Sequence, residues 1–403
     1  YLLSGEINDY SKLVFFSPEK FYSEKGVKVL INHFVKSVNA RLKKIEVIDR
    51  RTNHTLEMEY DKLILTTGSI PNEIPELPYT LENVFSYKSV SDYLKLKSYL
   101  DKNNVEKILI IGSGYIGLEV AENLAAKKIE VTIFDKEELP LPSAELEIRH
   151  LIKSIIDENK IPFLTKENYS KFIVRNNKFA QLKHEGRYLD FDLAIVAAGI
   201  KPNIYLAESA KLKIGKYGGL IVDSRLKTSD PNIYAAGDNI EVTNKITNRA
   251  DYFPLATYAH NYGHIAGENA AGGNQIAEAI ILNSSFKFFN KFIAQVGLNF
   301  EQAVKHNVNA KFITSIANNK VKIMHGSSKV FGKIVYDRYS KLILGASFIG
   351  SNEVSGYADL ISSFIYNKNT VLNLAKINYN YTPPLSPFIN LLSILGRKIQ
   401  ETI

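Results

Sequence analysis

The pattern of apolar and polar positions predicts one complete strand–helix–strand unit between residues 107 and 135. Leu109–Ile111 is an apolar run typical of a buried strand, and it leads into a glycine-rich turn with the sequence GSGYIG. A mainly apolar stretch as far as Ala126 favours a helix, and Val131–Phe134 predicts the second strand. Fully apolar strands alternating with a helix indicate an α/β fold with a parallel sheet.

The glycines of this turn are suited to a bound dinucleotide. Gly112 would permit the tight turn, Gly114 would let the backbone approach a pyrophosphate, and Gly117 would let the helix pack closely against the strand. Asp135 ends the second strand 18 residues after Gly117, where a carboxylate can accept both ribose hydroxyls. The sequence therefore predicts a nucleotide site, the alternative being a glycine-rich turn that binds nothing.

Other stretches show a weaker periodicity. Short apolar runs predict strands at Lys28–Ile31 and Lys44–Val47, and longer stretches predict helices at Ser143–Asn159, Ala256–Ala271 and Val354–Tyr366.

Two further apolar runs end in small or acidic residues that could meet a ligand. One ends in Thr66-Thr67-Gly68 and the other in Gly237-Asp238. A parallel strand that stops at a glycine lets its backbone approach a ligand at the carboxyl edge of the sheet. Either run alone is more often a plain strand end, but together around a dinucleotide unit they indicate a second ligand site.

Composition and charge narrow the class of protein. The 403 residues have 45% hydrophobic content, no cysteine and a net charge of +8 carried by scattered lysines. No apolar run is long enough to span a membrane, and the first residues lack the pattern of a secretory signal. We therefore expect a cytoplasmic enzyme of two or three domains, without a membrane or nucleic-acid partner.

One helical stripe has the spacing of metal ligands. His260, His264 and Glu268 are separated by four residues each. A packed or solvent-exposed helix face is the favoured interpretation, so no metal site is predicted.

The order of the motifs resembles one enzyme family. TTG, GSGYIGLE, AAGIKPN, TSDPNIYAAGD and GHIAGENAAGG follow one another as in the FAD-dependent pyridine nucleotide–disulfide oxidoreductases. The most similar branch has a single redox cysteine and contains the coenzyme A-disulfide reductases, NADH oxidases and NADH peroxidases. The YTPPLSP segment at residues 381–387 resembles the YAPPxS segment of that branch's dimerisation domain.

The resemblance implies a domain arrangement: two interleaved Rossmann-like nucleotide-binding domains and a C-terminal α+β dimerisation domain. It places the first part of the FAD-binding domain at residues 1–88, the NAD(P)H-binding domain at 89–205, the second FAD part at 206–275 and the dimerisation domain at 276–403. A homodimer is expected.

The resemblance also implies an activity. Hydride from NADH, or alternatively from NADPH, would pass through FAD to a redox cysteine and then to a small-molecule disulfide, a persulfide, a peroxide or oxygen. Asp135 favours NADH because a carboxylate repels a 2′-phosphate, although the adjacent Lys136 could offset part of that repulsion. The alternatives are a degenerate nucleotide-binding paralogue and a flavin reductase that feeds a small iron–sulfur carrier.

The site residues that the resemblance implies fall into three groups. NAD(P)H would contact Gly112, Gly114, Tyr115, Ile116, Gly117, Glu119, Asp135 and Gly199. FAD would contact Thr66, Thr67, Gly68, Ser69, Lys88, Gly237, Asp238, Pro254 and Ala256. Tyr381 would enter the partner subunit's catalytic site, and Lys25 and His260 would contact substrate.

The chain departs from the family pattern at two places. The family begins with a GxGxxG unit for FAD, whereas residues 1–5 resemble the stretch that follows the redox cysteine, so we expect an N-terminally incomplete chain. Residues 324–330, MHGSSKV, replace the tyrosine-rich YYPG turn of the coenzyme A-disulfide reductases. This second departure argues against coenzyme A as the substrate.

Overall fold

The computed structural model describes residues 2–166 and 170–401, so Tyr1, the first residue of the segment compared with the redox-cysteine region, lies outside the described residues. The early part of the chain consists of short elements and an antiparallel sheet of order β1–β2–β3. Its elements are a 3-10 helix (Tyr10–Leu13), α1 (Pro18–Lys25), β1 (His33–Asn39), β2 (Lys44–Asp49), β3 (His54–Glu59), β4 (Leu63–Leu65), β5 (Ser69–Pro71) and β6 (Val84–Ser86).

The next part is built on a parallel sheet. Its elements are α2 (Val90–Lys102), β7 (Lys107–Ile111), α3 (Tyr115–Ala125), β8 (Glu130–Asp135), α4 (Leu146–Glu158), β9 (Phe163–Thr165), β10 (Lys171–Arg175), β11 (Lys178–His184), β12 (Arg187–Asp190) and β13 (Leu193–Val196). The strand order is β6–β13–β7–β8–β9, and every neighbouring pair in it is parallel. Ile108–Ile111 are all buried because both faces of the sheet are covered.

The chain then returns to the strands that precede the parallel sheet. This part contains β14 (Ile200–Pro202), α5 (Tyr205–Ser209), β15 (Ile233–Ala235), β16 (Val242–Asn244), β17 (Arg249–Asp251) and α6 (Ala256–Ala270). Strand β14 pairs antiparallel with β5, and β15 pairs parallel with β4. The parallel pairing places the carboxyl ends of β4 and β15 side by side, so the two strand-end motifs meet at one edge of the sheet.

The C-terminal part is an antiparallel sheet with helices packed on it. Its elements are β18 (Asn283–Phe288), β19 (Lys291–Gly297), α7 (Phe300–Lys305), β20 (Ala310–Asn318), β21 (Lys329–Asp337), β22 (Ile343–Gly350), α8 (Glu353–Tyr366), a 3-10 helix (Val371–Lys376) and α9 (Leu391–Gln400). The strand order is β18–β19–β22–β21–β20. Strand β22 is buried at every residue because it lies in the middle of the sheet beneath α8.

The predicted α/β class is confirmed, but one predicted strand is wrong. Lys28–Ile31 connects α1 to β1 without strand structure, and Val29, Leu30 and Ile31 are more than one-third exposed. Their β-forming side chains have no neighbouring strand to pair with, and strand propensity alone does not form a ladder. No helix of the described residues is long and apolar enough to cross a membrane.

Candidate functional site

A cavity of about 1130 Å³ lies between the parallel sheet, the segment around β17 and the C-terminal sheet. The predicted ligand residues that line it come from both proposed nucleotide sites. They are Lys88, Gly114, Tyr115, Ile116, Glu119, Gly199 and Pro254. The fold therefore brings together residues that lie up to 166 positions apart in the sequence.

The turn between β7 and α3 requires glycine for the reasons that the sequence suggested. Gly112 has a φ of +104°, and a Cβ placed on it would lie 2.5 Å from the carbonyl oxygen of Ala197. A Cβ on Gly117 would collide with the carbonyl oxygen of Gly112. Gly114 differs, because a Cβ there would meet no atom within 4 Å. Gly112 and Gly117 are therefore needed for packing, whereas Gly114 leaves open space at the start of α3.

Asp135 is buried at the end of β8 and does not line the cavity. Its Oδ2 accepts hydrogen bonds of 2.6 Å from both the amide and the hydroxyl of Ser113, and its Oδ1 accepts one of 3.0 Å from the amide of Glu137. The carboxylate thus fixes the GSG turn to the second strand. A carboxylate offers about four acceptor positions, so these three bonds leave capacity for a ligand hydroxyl.

A cluster of hydrogen-bonded polar residues, here called the Asp238 group, lies next to the cavity. It consists of Asp238, Ser69 and Tyr252 and lies near the ends of β4 and β15. Asp238 Oδ2 accepts a 2.8 Å hydrogen bond from the Ser69 hydroxyl, and its carbonyl oxygen accepts one of 2.9 Å from the Tyr252 hydroxyl. Burial, followed by the nearby Asp238 carboxylate, raises the pKa of Tyr252. Because Tyr252 lines the cavity, it links the Asp238 group to the space in front of the GSGYIG turn.

Several of the residues predicted to contact FAD shape the backbone near the ends of β4 and β15. Gly68 and Gly237 have φ values of +67° and +93°, so both strands turn sharply where they end. The Thr67 hydroxyl donates a 2.6 Å hydrogen bond to the carbonyl of Asn203, while Thr66 is exposed. Ala256 is the first residue of α6, directly after cavity-lining Pro254 and Leu255.

Burial raises the pKa of two ionisable side chains that line the cavity. Burial raises the pKa of the Glu119 carboxyl, and it raises the pKa of Tyr87 to about 12. Tyr87 therefore keeps its proton at neutral pH and can donate a hydrogen bond within the cavity.

Part of the cavity wall is not predicted from the sequence. The missed residues include Lys216, Tyr217, Arg249, Tyr252, Phe253, Ser284, Phe286, Gln302, Lys305 and His306. Tyr252 and Phe253 directly precede the Pro254-Leu255 motif, so proximity in sequence could have identified them. The residues at 302–306 belong to α7 and its end, and no local pattern connects them to a nucleotide turn almost 190 positions earlier.

Three predicted substrate or catalytic residues do not line this cavity. Lys25 ends α1 on an exposed helix, and His260 is exposed on α6. Tyr381 is 46% exposed, and its ring packs edge-on against Phe388 with 5.3 Å between the centroids. The rings of His260 and His264 are 4.7 Å apart, and no group of three potential metal ligands occurs within residues 2–166 and 170–401.

Comparison with protein families identifies two regions. The family described as pyridine nucleotide-disulphide oxidoreductase matches residues 4–263, and its dimerisation domain matches residues 284–390. The chain is 28% identical over 387 residues to an NADH oxidase of Methanocaldococcus jannaschii, covering 96% of this chain and 86% of that protein. It is also 28% identical over 399 residues to a coenzyme A disulfide reductase of Staphylococcus aureus, covering 99% and 89%.

Solved structures give the same assignment. An NAD-dependent persulfide reductase from A. fulgidus superposes with a TM-score of 0.93 at 27% identity, covering 100% of this chain and 75% of that one. A water-forming NADH oxidase from Lactobacillus brevis bound to NADH gives 0.91 at 26%, covering 99% and 88%. Its engineered NADPH oxidase variant bound to NADPH gives 0.91 at 25%, with the same coverage. The chain therefore belongs to the FAD-dependent pyridine nucleotide–disulfide oxidoreductases and carries their C-terminal dimerisation domain.

Proposed function

We propose that this chain oxidises NADH through FAD and passes the electrons to a small-molecule disulfide, a persulfide, a peroxide or oxygen. The observation that carries the proposal is the shared cavity, which is lined by the GSGYIG turn and by Lys88 and Pro254 from the predicted flavin site. The relatives are named for coenzyme A disulfide, persulfide and oxygen chemistry, which supports a disulfide, a persulfide or oxygen as the acceptor. The 403 residues contain no cysteine, so a thiol step is assigned to none of them.

The nicotinamide nucleotide would lie along the start of α3. The open space at Gly114 and the backbone N–H groups of the first helical turn suit a pyrophosphate. Asp135 would accept the adenosine ribose hydroxyls, and Gly112 and Gly117 would keep the turn tight. Tyr115, Ile116, Glu119 and Gly199 would then surround the nicotinamide end, which is consistent with their position in the cavity wall.

FAD would be held by the ends of β4 and β15. Thr66, Thr67, Gly68 and Ser69 would present backbone and hydroxyl groups, and Asp238, next to Gly237, would accept hydrogen bonds from the ribityl chain. Lys88, Pro254 and Ala256 would complete the flavin contacts. The buried Ser284 hydroxyl faces the cavity without a hydrogen-bond partner among the described residues, which fits a polar ligand there. Bound FAD supplies the two-electron transfer between NADH and the acceptor.

A homodimer and the predicted domain boundaries are parts of the same proposal. Tyr381 and Phe388 are 46% and 78% exposed in the region matched by the dimerisation domain, which suits a surface covered by a second copy. Tyr381 would then reach the partner's site, and Lys25 and His260 would contact the acceptor. The domains would divide at residues 88, 205 and 275, and the enzyme would work in the cytoplasm.

The acceptor can be identified by an NADH oxidation assay on the flavin-loaded protein. Disulfides, a persulfide, hydrogen peroxide and oxygen are supplied separately, and NADH absorbance is followed. We expect turnover with at least one of them and none when the acceptor is left out under anaerobic conditions. Flavin-loaded protein that oxidises no NADH with any acceptor would instead indicate a nucleotide-binding paralogue without turnover.

Cofactor choice provides a separate prediction. In the engineered NADPH-bound relative, a glycine-to-alanine change precedes an aspartate-to-alanine change by eighteen positions, the spacing of Gly117 and Asp135 here, and the next position becomes arginine. We therefore expect kcat/KM for NADH to exceed that for NADPH by roughly tenfold or more, about 1.4 kcal/mol of discrimination.

A variant of the adjacent Lys136 tests the same electrostatic explanation for cofactor preference. If its ammonium group offsets part of the repulsion between Asp135 and a 2′-phosphate, Lys136→Ala should widen the preference for NADH. Equal or better use of NADPH by the unaltered protein would show that Asp135 does not select the cofactor.

A further inference from the structure

A buried ion cluster joins the C-terminal sheet to the nucleotide-binding part of the chain. Lys333 Nζ lies 2.8 Å from Glu145 Oε2 and 2.9 Å from Glu147 Oε2. The side chains of Lys333 and Glu145 are only 4% and 3% exposed, whereas that of Glu147 is 35% exposed. We refer to Lys333, Glu145 and Glu147 as the Lys333 cluster.

Two aromatic rings, those of Phe300 and Phe312, lie near the ammonium group of Lys333. Lys333 lies in β21 between Thr314 of β20 and Ser347 of β22, with Nζ 4.0 Å from the centroid of the Phe312 ring. Burial raises the pKa of Glu145, and the neighbouring Lys333 acts against that rise. A buried ion pair is weak evidence for stability, since well-packed apolar side chains often serve equally well. A role in fixing geometry therefore accounts better for charges at this position.

The Lys333 cluster continues directly into one wall of the cavity. The second oxygen of Glu145 accepts a 2.8 Å hydrogen bond from the amide of Phe300, the first residue of α7. Next to it, Asn299 caps α7 through a reciprocal pair of hydrogen bonds with Gln302 and donates a 3.0 Å hydrogen bond to the carbonyl of Ser143.

Both ends of this chain of contacts reach the cavity. Ser143 lines it from the nucleotide-binding side, and Gln302, Lys305 and His306 line it from the C-terminal side. The position of α7 relative to Ser143 and Glu145, which lie just before α4, therefore affects the distance between two cavity walls. A second link between the two parts does not involve the Lys333 cluster. The carbonyl of Ser143 also accepts a 3.2 Å hydrogen bond from Gln295 in β19 of the C-terminal sheet.

We propose that Lys333 is a positioning residue for NADH: by pairing with Glu145 it holds α7 at the distance from the GSGYIG turn that the dinucleotide needs. This inference rests on the proposed function, because it takes the cavity to be the NADH site. The Lys333 cluster contacts no reacting group, so its loss should weaken NADH binding and leave the chemical step intact.

The test compares three variants of the full chain by NADH titration and steady-state kinetics. Lys333→Met removes the charge, Lys333→Arg keeps it, and Lys329→Met makes the same replacement at an exposed position of the same strand. Because the chain contains no tryptophan, NADH fluorescence can be followed without interference from that residue. We expect Lys333→Met to raise Kd and KM for NADH on the order of tenfold with kcat changed little. Lys333→Arg should recover most of the affinity, and Lys329→Met should match the unaltered protein.

Glu145→Gln covers the case in which Lys333→Met does not fold. It removes one charge of the pair but keeps an oxygen for the Phe300 amide, so a smaller rise in Kd is expected. If folded Lys333→Met or Glu145→Gln binds NADH as tightly as the unaltered protein, the inference is wrong and the Lys333 cluster is purely structural. If the unaltered protein itself does not bind NADH, the proposed function fails instead.

Discussion

Replacing Gly112 with alanine is expected to abolish most NADH binding and to destabilise the parallel-sheet part of the chain. The φ of +104° at this residue is unfavourable for any side chain, and the new Cβ would lie 2.5 Å from the carbonyl oxygen of Ala197. That oxygen belongs to the backbone at the end of β13 and cannot rotate away. Strain and overpacking together should cost about 2–5 kcal/mol. Thermal unfolding and NADH titration measure the two effects.

Gly114→Ala is the matched comparison. Gly114 has an ordinary φ of −72°, and its added Cβ would meet no protein atom within 4 Å. We expect this variant to unfold at the same temperature as the unaltered protein but to bind NADH more weakly, because the methyl group occupies space meant for the pyrophosphate. Unchanged NADH affinity in folded Gly114→Ala would place the dinucleotide elsewhere.

The second large effect is expected on the affinity of the protein for FAD. Asp238→Ala removes the acceptor that the ribityl chain would use and leaves the largely buried Ser69 hydroxyl without its 2.8 Å partner. The ribityl hydroxyl that Asp238 would accept is then left unpaired in the bound state, which costs about 1–3 kcal/mol of binding, so flavin affinity should fall roughly 5- to 150-fold. The unpaired Ser69 hydroxyl lowers the stability of the protein instead. Flavin absorbance per mole of purified protein, after incubation with FAD, is the measurement.

Asp61→Ala serves as the control for Asp238. Asp61 is exposed and lies just before β4, at the opposite end of the strand from Thr66. It should retain the flavin content of the unaltered protein. Full flavin occupancy in Asp238→Ala would show that Asp238 is only a turn residue.

The nucleotide turn could be predicted because the residues that define its motif are local in sequence. Strand β7, the GSGYIG turn, α3 and β8 follow one another within 29 residues, and β7 pairs directly with β8. The contacts of β7 with β13 and of Gly112 with Ala197 come from a distant segment. The position of Asp135 at the end of β8 predicts a ribose contact. The sequence did not reveal that the same carboxylate also holds Ser113, because this bond depends on the short distance between the GSGYIG turn and the end of β8.

The remaining walls of the cavity depend on packing between distant segments. Lys333 looks like an ordinary strand lysine in KVFGKIVYD, and only the docking of α4 on the sheet makes it a buried ion-pair partner. Lys28–Ile31 shows the opposite error, since its strand propensity is not realised without a neighbouring strand. In both cases the outcome depends on tertiary neighbours that the local pattern does not encode.

The pairing of β5 with β14 has a consequence for the entropy of folding. Without it, joining β4 to β15 closes a loop of roughly 170 residues, from Leu65 to Ile233. Once residues 72–199 are folded and β5 is paired with β14, only the short stretches on either side remain free, roughly 33 residues in all. The loop-closure entropy grows with the logarithm of length, so this pairing lowers the cost of the last closure by about 1.4 kcal/mol.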